Sequence, residues 1–113
     1  MDHKELASIC NGLGDPTRSH IFQLLLGCCC EVAVDDDGDI APVQGLTAGA
    51  VCCHITGGDK ITSTVSFHLD KLRQAGLIHM EKRGKHMICS INRDAVARLS
   101  EFFHEATTGS QCC

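Results

Sequence analysis

The sequence predicts a mostly α-helical domain with one small β-hairpin. Apolar side chains recur at helical spacing in five stretches, and glycine or proline separates most of these stretches. Near the C-terminal end, two short apolar runs instead flank a basic turn that contains glycine. A length of 113 residues suits one domain. We expect that domain to span residues 1–108, followed by a short tail at residues 109–113.

The first two helices are predicted on either side of a glycine-rich break. Gly12 and Gly14 end the first, and Asp15 caps the second with Pro16 at its first helical position. Gly27 ends the second helix. The side chains expected on buried faces are Leu6, Ile9, Cys10 and Leu13 in the first helix, and Ile21, Leu24 and Leu25 in the second.

Residues 28–45 contain three adjacent cysteines, an apolar alternation and an acidic run. Two short strands around an acidic turn and a long loop both remain open for this segment. A calcium loop is disfavoured, because the aspartates lack the spacing that such loops require.

Two more helices are predicted between residues 47 and 76. The third, at residues 47–55, carries Cys52, Cys53 and His54 and ends at two glycines. Thr62 or Ser63 caps the fourth, and Gly76 ends it. The buried positions we expect are Val51 and Ile55 in the third helix, and Val65, Leu69 and Leu72 in the fourth.

A hairpin and a last helix complete the domain. The strands are predicted at residues 77–80 and 87–91, around a turn that contains Gly84. Asn92 then caps a helix. Its expected buried stripe is Val96, Leu99, Phe102 and Phe103.

Charge is distributed unevenly along the chain. The net charge is −4, which argues against nucleic acid if it is taken alone. Residues 59–98, however, hold eight basic and four acidic side chains, whereas residues 1–58 hold two basic and eight acidic ones. The region of the fourth helix and the hairpin is therefore net positive, as a DNA-binding surface requires.

The third and fourth helices with the turn between them form a helix-turn-helix pattern, and the basic hairpin forms a wing beside it. In such units the second helix lies in the major groove, with its first residues at base edges. Hydroxyls at a helix start are often only caps, and basic hairpin turns are often only solvated. The two features in succession favour DNA binding. The residues expected to contact DNA are Ser63, Thr64, Ser66, Phe67, His68, Lys71 and Arg73 on the helix, and Lys82, Arg83 and Lys85 on the hairpin.

Three segments together resemble the ArsR/SmtB family of winged-helix repressors. They are LGDPTRSHIFQLLL at residues 13–26, STVSFHLDKLRQAGLI at 63–78 and EKRGKHMICSI at 81–91. The likeness extends over about residues 5–104. It implies a homodimer formed by the first and last helices. It also implies a palindromic double-stranded operator and release of that operator when a metal or metalloid ion binds.

Nine cysteines suggest what the effector is. No signal peptide or membrane helix is predicted, so we expect a cytoplasmic protein whose thiols stay reduced and bind soft ions. Thiols of residues 28–30 joined by Cys52 or Cys53 from the third helix would form a three-sulfur site, which favours As(III) or Sb(III) over Cd, Pb, Hg or Zn. The cysteine motif of arsenic- and cadmium-sensing relatives is not reproduced, nor is the Asp-x-His zinc motif near Asp94. The predicted ligands are Cys29, Cys30, Cys52 and Cys53, with a possible second site at Cys112 and Cys113.

Two other functions remain open. A repressor of the same fold could sense oxidants or persulfides through a disulfide. A metal-buffering protein or small thiol enzyme would not bind DNA at all. We expect no enzyme, because the sequence shows no general base arranged beside a nucleophilic cysteine.

Overall fold

The computed structural model describes residues 1–27, 31–34, 41–58 and 61–109, of which residues 31–34 and 41–44 are described as backbone only. Five helices and two antiparallel sheets occupy these ranges. The helices are α1 His3–Leu13, α2 Pro16–Leu26, α3 Ala48–Thr56, α4 Ser63–Gln74 and α5 Arg93–Thr108. The strands are β1 Glu31–Val34, β2 Ala41–Gln44, β3 Leu46–Thr47, β4 Ile78–Arg83 and β5 His86–Ile91.

Side-chain caps fix where the helices begin. Asp15 accepts hydrogen bonds from the backbone N–H groups of Thr17 and Arg18, at 2.9 and 3.1 Å. Asn92 accepts from the N–H of Ala95, which confirms both predicted caps. Of the two candidates for α4, Thr62 is the cap, because its side chain accepts from the N–H of Val65.

The wing is a three-stranded sheet in the order β3-β5-β4. Its hairpin extends further than predicted, since β4 continues to Arg83 and β5 begins at His86, with Gly84 at a φ of 58° in the turn. Strand β3 was not predicted. Two residues are too few to show an alternating pattern, and pairing with β5 is what makes them a strand.

A second, two-stranded ribbon joins α2 to α3. Strands β1 and β2 pair antiparallel, with Glu31 opposite Gln44 and Val34 opposite Ala41. The strand interpretation of this segment is therefore confirmed for residues 31–34 and 41–44. The acidic turn predicted between them lies outside the described residues.

The core is centred on α4. Val65, Leu69 and Leu72 are each no more than 1% exposed, as predicted. They pack with side chains from α2, α3 and both long strands of the wing, among them Ile21, Val51, Ile78 and Cys89. The rotation of α4 about its own axis is thereby determined.

Two predicted core positions are wrong in the single chain. Cys10 is exposed, because α1 turns Ile9 and Gly12 inward and Cys10 lies about 100° round the helix from Ile9. Phe103 is 52% exposed, since α5 buries Ala95 and half-buries Val96 at its start and carries Phe103 beyond the core.

Gly12 is the point of closest approach between α1 and the end of α4. A Cβ atom at this position would lie 2.7 Å from the Cβ of Ala75 and 3.2 Å from Cδ1 of Leu77. The absent side chain therefore allows the two helices to pack together. None of the helices in the described ranges has the length and apolar character needed to cross a membrane.

We predict that Gly12→Ala destabilises the protein by about 1–3 kcal/mol, because the added methyl group forces α1 away from Ala75. Equilibrium urea unfolding measures the change. Gly49→Ala on α3 is the matched control, since nothing lies closer than 4.0 Å to a Cβ there. Helix propensity should make that control neutral or slightly stabilising. Equal midpoints for the two variants would contradict the packing argument.

Candidate nucleic-acid interface

The outer face of α4 follows from the burial of its inner face. Helix α3 and the following turn lead into it, with Gly57 in the left-handed conformation at a φ of 78°. Because the apolar stripe faces the core, Ser63, Thr64, Ser66 and Phe67 lie exposed in the first turns of α4. The helix-turn-helix arrangement predicted from the sequence is confirmed.

Phe67 is an unusual residue on this polar face. Its side chain is 53% exposed, although an apolar ring is normally buried. The ammonium of Lys71 lies 5.3 Å from the ring centroid, which is within cation–π distance. The His68 ring meets Phe67 edge-on at 5.6 Å. The phenyl ring is thus held in one position while it remains accessible.

The structure places His68 in the contact between α4 and α2, whereas the sequence grouped it with the exposed residues. Its side chain is only 13% exposed. The Nδ1 atom lies 3.3 Å from Nη1 of Arg18 and 3.8 Å from Oδ2 of Asp15. The ring therefore links α4 to the start of α2.

Arg18 joins three elements and was missed by the sequence analysis. Its Nε donates to the carbonyl of Gly12 at 2.7 Å, and its Nη2 donates to that of Asn11 at 3.2 Å. The hydrogen bond that its backbone N–H donates is the main reason why the pKa of Asp15 lies below its usual value. The end of α1, the start of α2 and the middle of α4 are tied together in this way. The signal in the sequence was its place three residues after the cap Asp15.

Asp70 was also missed, and it changes how Arg73 is presented. Its Oδ1 accepts from Arg73 Nη2 at 2.5 Å and from Arg73 Nε at 3.2 Å. Its Oδ2 accepts from the side-chain amide of Gln74 at 2.6 Å. These hydrogen bonds lower the pKa of Asp70, and the bond from Arg73 has the largest effect. Arg73, predicted to lie near phosphates, is exposed but already paired with a carboxylate.

The wing presents its basic residues to solvent. Lys82, Arg83 and Lys85 are all exposed at or beside the two-residue turn. Arg83 pairs with Glu81 through an Nε–Oε1 contact of 3.1 Å. Because successive strand residues point to opposite faces, Lys82 and Arg83 carry positive charge on both sides of the hairpin.

The two thiols of α3 lie in different environments. Cys52 is fully buried, with its Sγ 3.6 Å from the hydroxyl of Thr56, and Cys53 is exposed. Hydrogen bonds from Thr56 and then from Thr62 lower the pKa of the Cys52 thiol. Since Thr62 caps α4, the Cys52 sulfur lies against the start of that helix. The structure does not bring the Cys52 and Cys53 thiols onto one surface.

The remaining described cysteines also differ in environment. Cys89 is buried in β5, where desolvation raises the pKa of its thiol to about 11, and Cys10 is exposed on α1. Within the part of the chain that the structure describes, no three His, Cys, Asp or Glu side chains are close enough to hold a metal. Predicted ligands Cys29, Cys30, Cys112 and Cys113 lie outside that part, so the ion site stays a prediction.

Solved structures of transcriptional regulators share this arrangement. An ArsR family transcriptional regulator superposes with a TM-score of 0.66 at 18% identity, over 92% of this chain and 93% of the other. A possible transcriptional regulator for arsenical resistance superposes with a TM-score of 0.59 at 21% identity, over 87% of this chain and 81% of the other. A third structure is a homodimeric winged helix-turn-helix DNA-binding domain from Mycobacterium bovis, a possible ArsR-family regulator. It superposes with a TM-score of 0.59 at 20% identity, over 96% of this chain and 83% of the other. No family model and no curated protein sequence matches the chain.

The fold is therefore a winged helix-turn-helix, with α4 as its second helix and β4–β5 as its wing. It is the form of that fold found in structures of ArsR-family regulators, so the likeness predicted from the sequence is confirmed at the level of the fold.

We predict that Arg18→Ala lowers the free energy of unfolding by about 1–3 kcal/mol, because two backbone carbonyls and the His68 ring lose their donor. Urea unfolding measures the loss. Gln23→Ala is the control, since it shortens an exposed polar side chain on the same helix. If Arg18→Ala is as stable as that control, these contacts do not hold α4 in place.

Proposed function

We propose that this chain is a homodimeric transcriptional repressor that binds double-stranded operator DNA through α4 and the wing. The observation that carries the proposal is the face formed by Ser63, Thr64, Ser66 and Phe67. Hydroxyls there can donate to phosphates or base edges, and an accessible phenyl ring suits the methyl group of thymine.

The wing and Lys71 would supply phosphate contacts beside this face. Lys82, Arg83 and Lys85 project from the same domain as α4, within the net-positive region of the chain. Such contacts add affinity and fix the register of the protein on the duplex without reading sequence.

We infer that α1 and α5 form the dimer contact. Phe102 and Phe103 form an edge-to-face pair on α5 with centroids 5.4 Å apart, and Phe103 is exposed in the single chain. Arg98 of α5 donates to Glu5 of α1 at 2.6 Å, which joins the two terminal helices into one surface. Two-fold symmetry would match a palindromic operator.

The proposed effector is a soft metal or metalloid ion bound by thiolates, with As(III) or Sb(III) favoured and Cd, Pb, Hg or Zn as other candidates. Cys53 is exposed on α3, and Cys29 and Cys30 remain its proposed partners. Cys52 lies against the cap of α4, so a displacement of α3 would change the start of the reading helix. One structural relative is described as a possible regulator for arsenical resistance, which supports testing arsenite first.

A thiol-redox or persulfide sensor of the same fold is the second candidate. The lowered pKa of Cys52 favours it, because a thiolate is the reactive form. Burial of Cys52 opposes it, because an oxidant would reach the sulfur only after α3 moves. In both candidates the protein acts in the cytoplasm by binding DNA, and it catalyses no reaction.

We predict that Lys82→Ala weakens binding by a similar factor for all duplexes and lowers the salt dependence of log Kd by about one per protomer, as loss of a phosphate contact does. A duplex selected by the protein from a random library serves as operator, and fluorescence anisotropy measures affinity. Lys4→Ala on α1 is the charge-matched control. An unchanged salt slope in Lys82→Ala would remove the wing from the interface.

We predict that arsenite weakens operator binding about 5–150-fold, the usual range for such coupling, and that Cys53→Ser loses most of this response. Each thiol proton leaves with a hydroxide of As(OH)3 as water, so the response to arsenite should depend little on pH. The response to Cd²⁺, which displaces thiol protons into solution, should weaken as pH falls. Cys10→Ser, another exposed thiol, is the control. A full response in Cys53→Ser would exclude Cys53 as a ligand, and release by peroxide alone would favour the redox sensor.

A further inference from the structure

We propose that Asp70 determines base specificity by holding Arg73 and Gln74 in a reading geometry while it repels DNA that lacks the matching bases. This inference rests on the proposed DNA-binding function and deepens it. It assigns to an acidic side chain on α4 a role that the hydroxyls and Lys71 of that helix do not perform.

The hydrogen bonds use one carboxylate to orient two side chains. Arg73 approaches Oδ1 through its Nε and Nη2 atoms, at 3.2 and 2.5 Å, and Gln74 approaches Oδ2 at 2.6 Å. Both donors are long and flexible, and each would otherwise sample several rotamers. Asp70 therefore presents them together along the last turns of α4.

The position of the network suits contact with DNA. Asp70 follows Ser63 by seven residues and Phe67 by three, so the three side chains lie along one side of the helix. Asp70 and Arg73 also line the groove between α4 and the wing, together with Met80 and Met87. A duplex that contacts both α4 and the wing would pass over this groove.

The hydrogen-bonding groups that Arg73 and Gln74 keep free match particular bases. Asp70 occupies the Nε–Nη2 edge of the guanidinium, so the edge formed by Nη1 and Nη2 can pair with O6 and N7 of guanine. Gln74 keeps its amide oxygen and a second N–H, the pattern that pairs with N6 and N7 of adenine. Two purine positions in each half-site could thus be read.

The negative charge has a second effect. The carboxylate offsets the attraction of Arg73 for phosphate and is itself repelled by phosphates. Binding to unrelated DNA is weakened in consequence, whereas a matching guanine and adenine restore favourable contacts. Asp70 would widen the gap between specific and non-specific affinity.

A helix-stabilising ion pair is the simpler alternative. Asp70 and Arg73 have 47% and 50% of their side chains exposed, and exposed pairs contribute little to stability. A purely structural pair predicts a change in unfolding and none in sequence preference. Base preference therefore separates the two roles.

The experiment selects duplexes from a library of random sequence with the full chain and with three variants. Asp70→Asn keeps the shape and removes the charge, and Arg73→Lys keeps the charge and removes the two-pronged geometry. Glu31→Gln on β1 is the charge-matched control, because β1 has no part in the proposed DNA and dimer contacts. Selected duplexes are sequenced. Affinity for one selected duplex and one scrambled duplex is then measured over a series of salt concentrations.

We expect the unaltered protein and Glu31→Gln to select the same palindromic consensus. Arg73→Lys should lose preference for one guanine by roughly ten-fold, the scale of a bidentate base contact. Asp70→Asn should relax the same position. It should also bind the scrambled duplex more tightly, with a salt slope steeper by about one per protomer, because Arg73 then engages phosphate.

The possible results distinguish this inference from the function on which it rests. If the unaltered protein selects no consensus, both proposals fail. If it selects one, and Asp70→Asn selects the same one with unchanged affinity for scrambled DNA, Asp70 is only a surface ion pair. A relaxed consensus together with tighter binding of scrambled DNA supports the assignment.

Discussion

The burial of three side chains on α4 governs the rest of this structure. Val65, Leu69 and Leu72 are almost wholly removed from water, and each is large enough that turning it outward would cost about 1.5–3 kcal/mol. The helix can therefore adopt one rotation about its axis. That rotation decides which residues of α4 are accessible, and the face proposed to meet DNA is set by the apolar face behind it.

Polar contacts refine what the core determines. The Arg18, Asp15 and His68 contacts join the turn between α1 and α2 to the middle of α4, and Gly12 allows α1 to approach its end. A displacement of α1 or α2 would thus be transmitted to the reading helix. If α1 also forms the dimer contact, the distance between the two reading helices depends on the same packing.

The thiols of α3 show how binding of an effector could be coupled to the position of α4. Cys52 contacts the last turn of α3 and the cap of α4, so chemistry at α3 acts on the element that follows it. Cys53 is accessible and Cys52 is not, although the two are adjacent in the chain. A sensing event that begins at Cys53 could reach Cys52 through movement of α3, without direct access of the effector to the buried sulfur.

The sequence by itself determined the helices, the caps Asp15 and Asn92, the hairpin and the apolar face of α4, because spacing and capping act over a few residues. It could not show that Cys10 and Phe103 lie outside the core of the single chain, because burial depends on which neighbours pack against each helix. The contacts of Asp70 with Arg73 and Gln74 were within reach of the sequence, because they join residues three and four apart on one helix. Only the tertiary structure decided that His68 turns toward Arg18. Rotamers and long-range contacts are set by packing, and local sequence does not specify them.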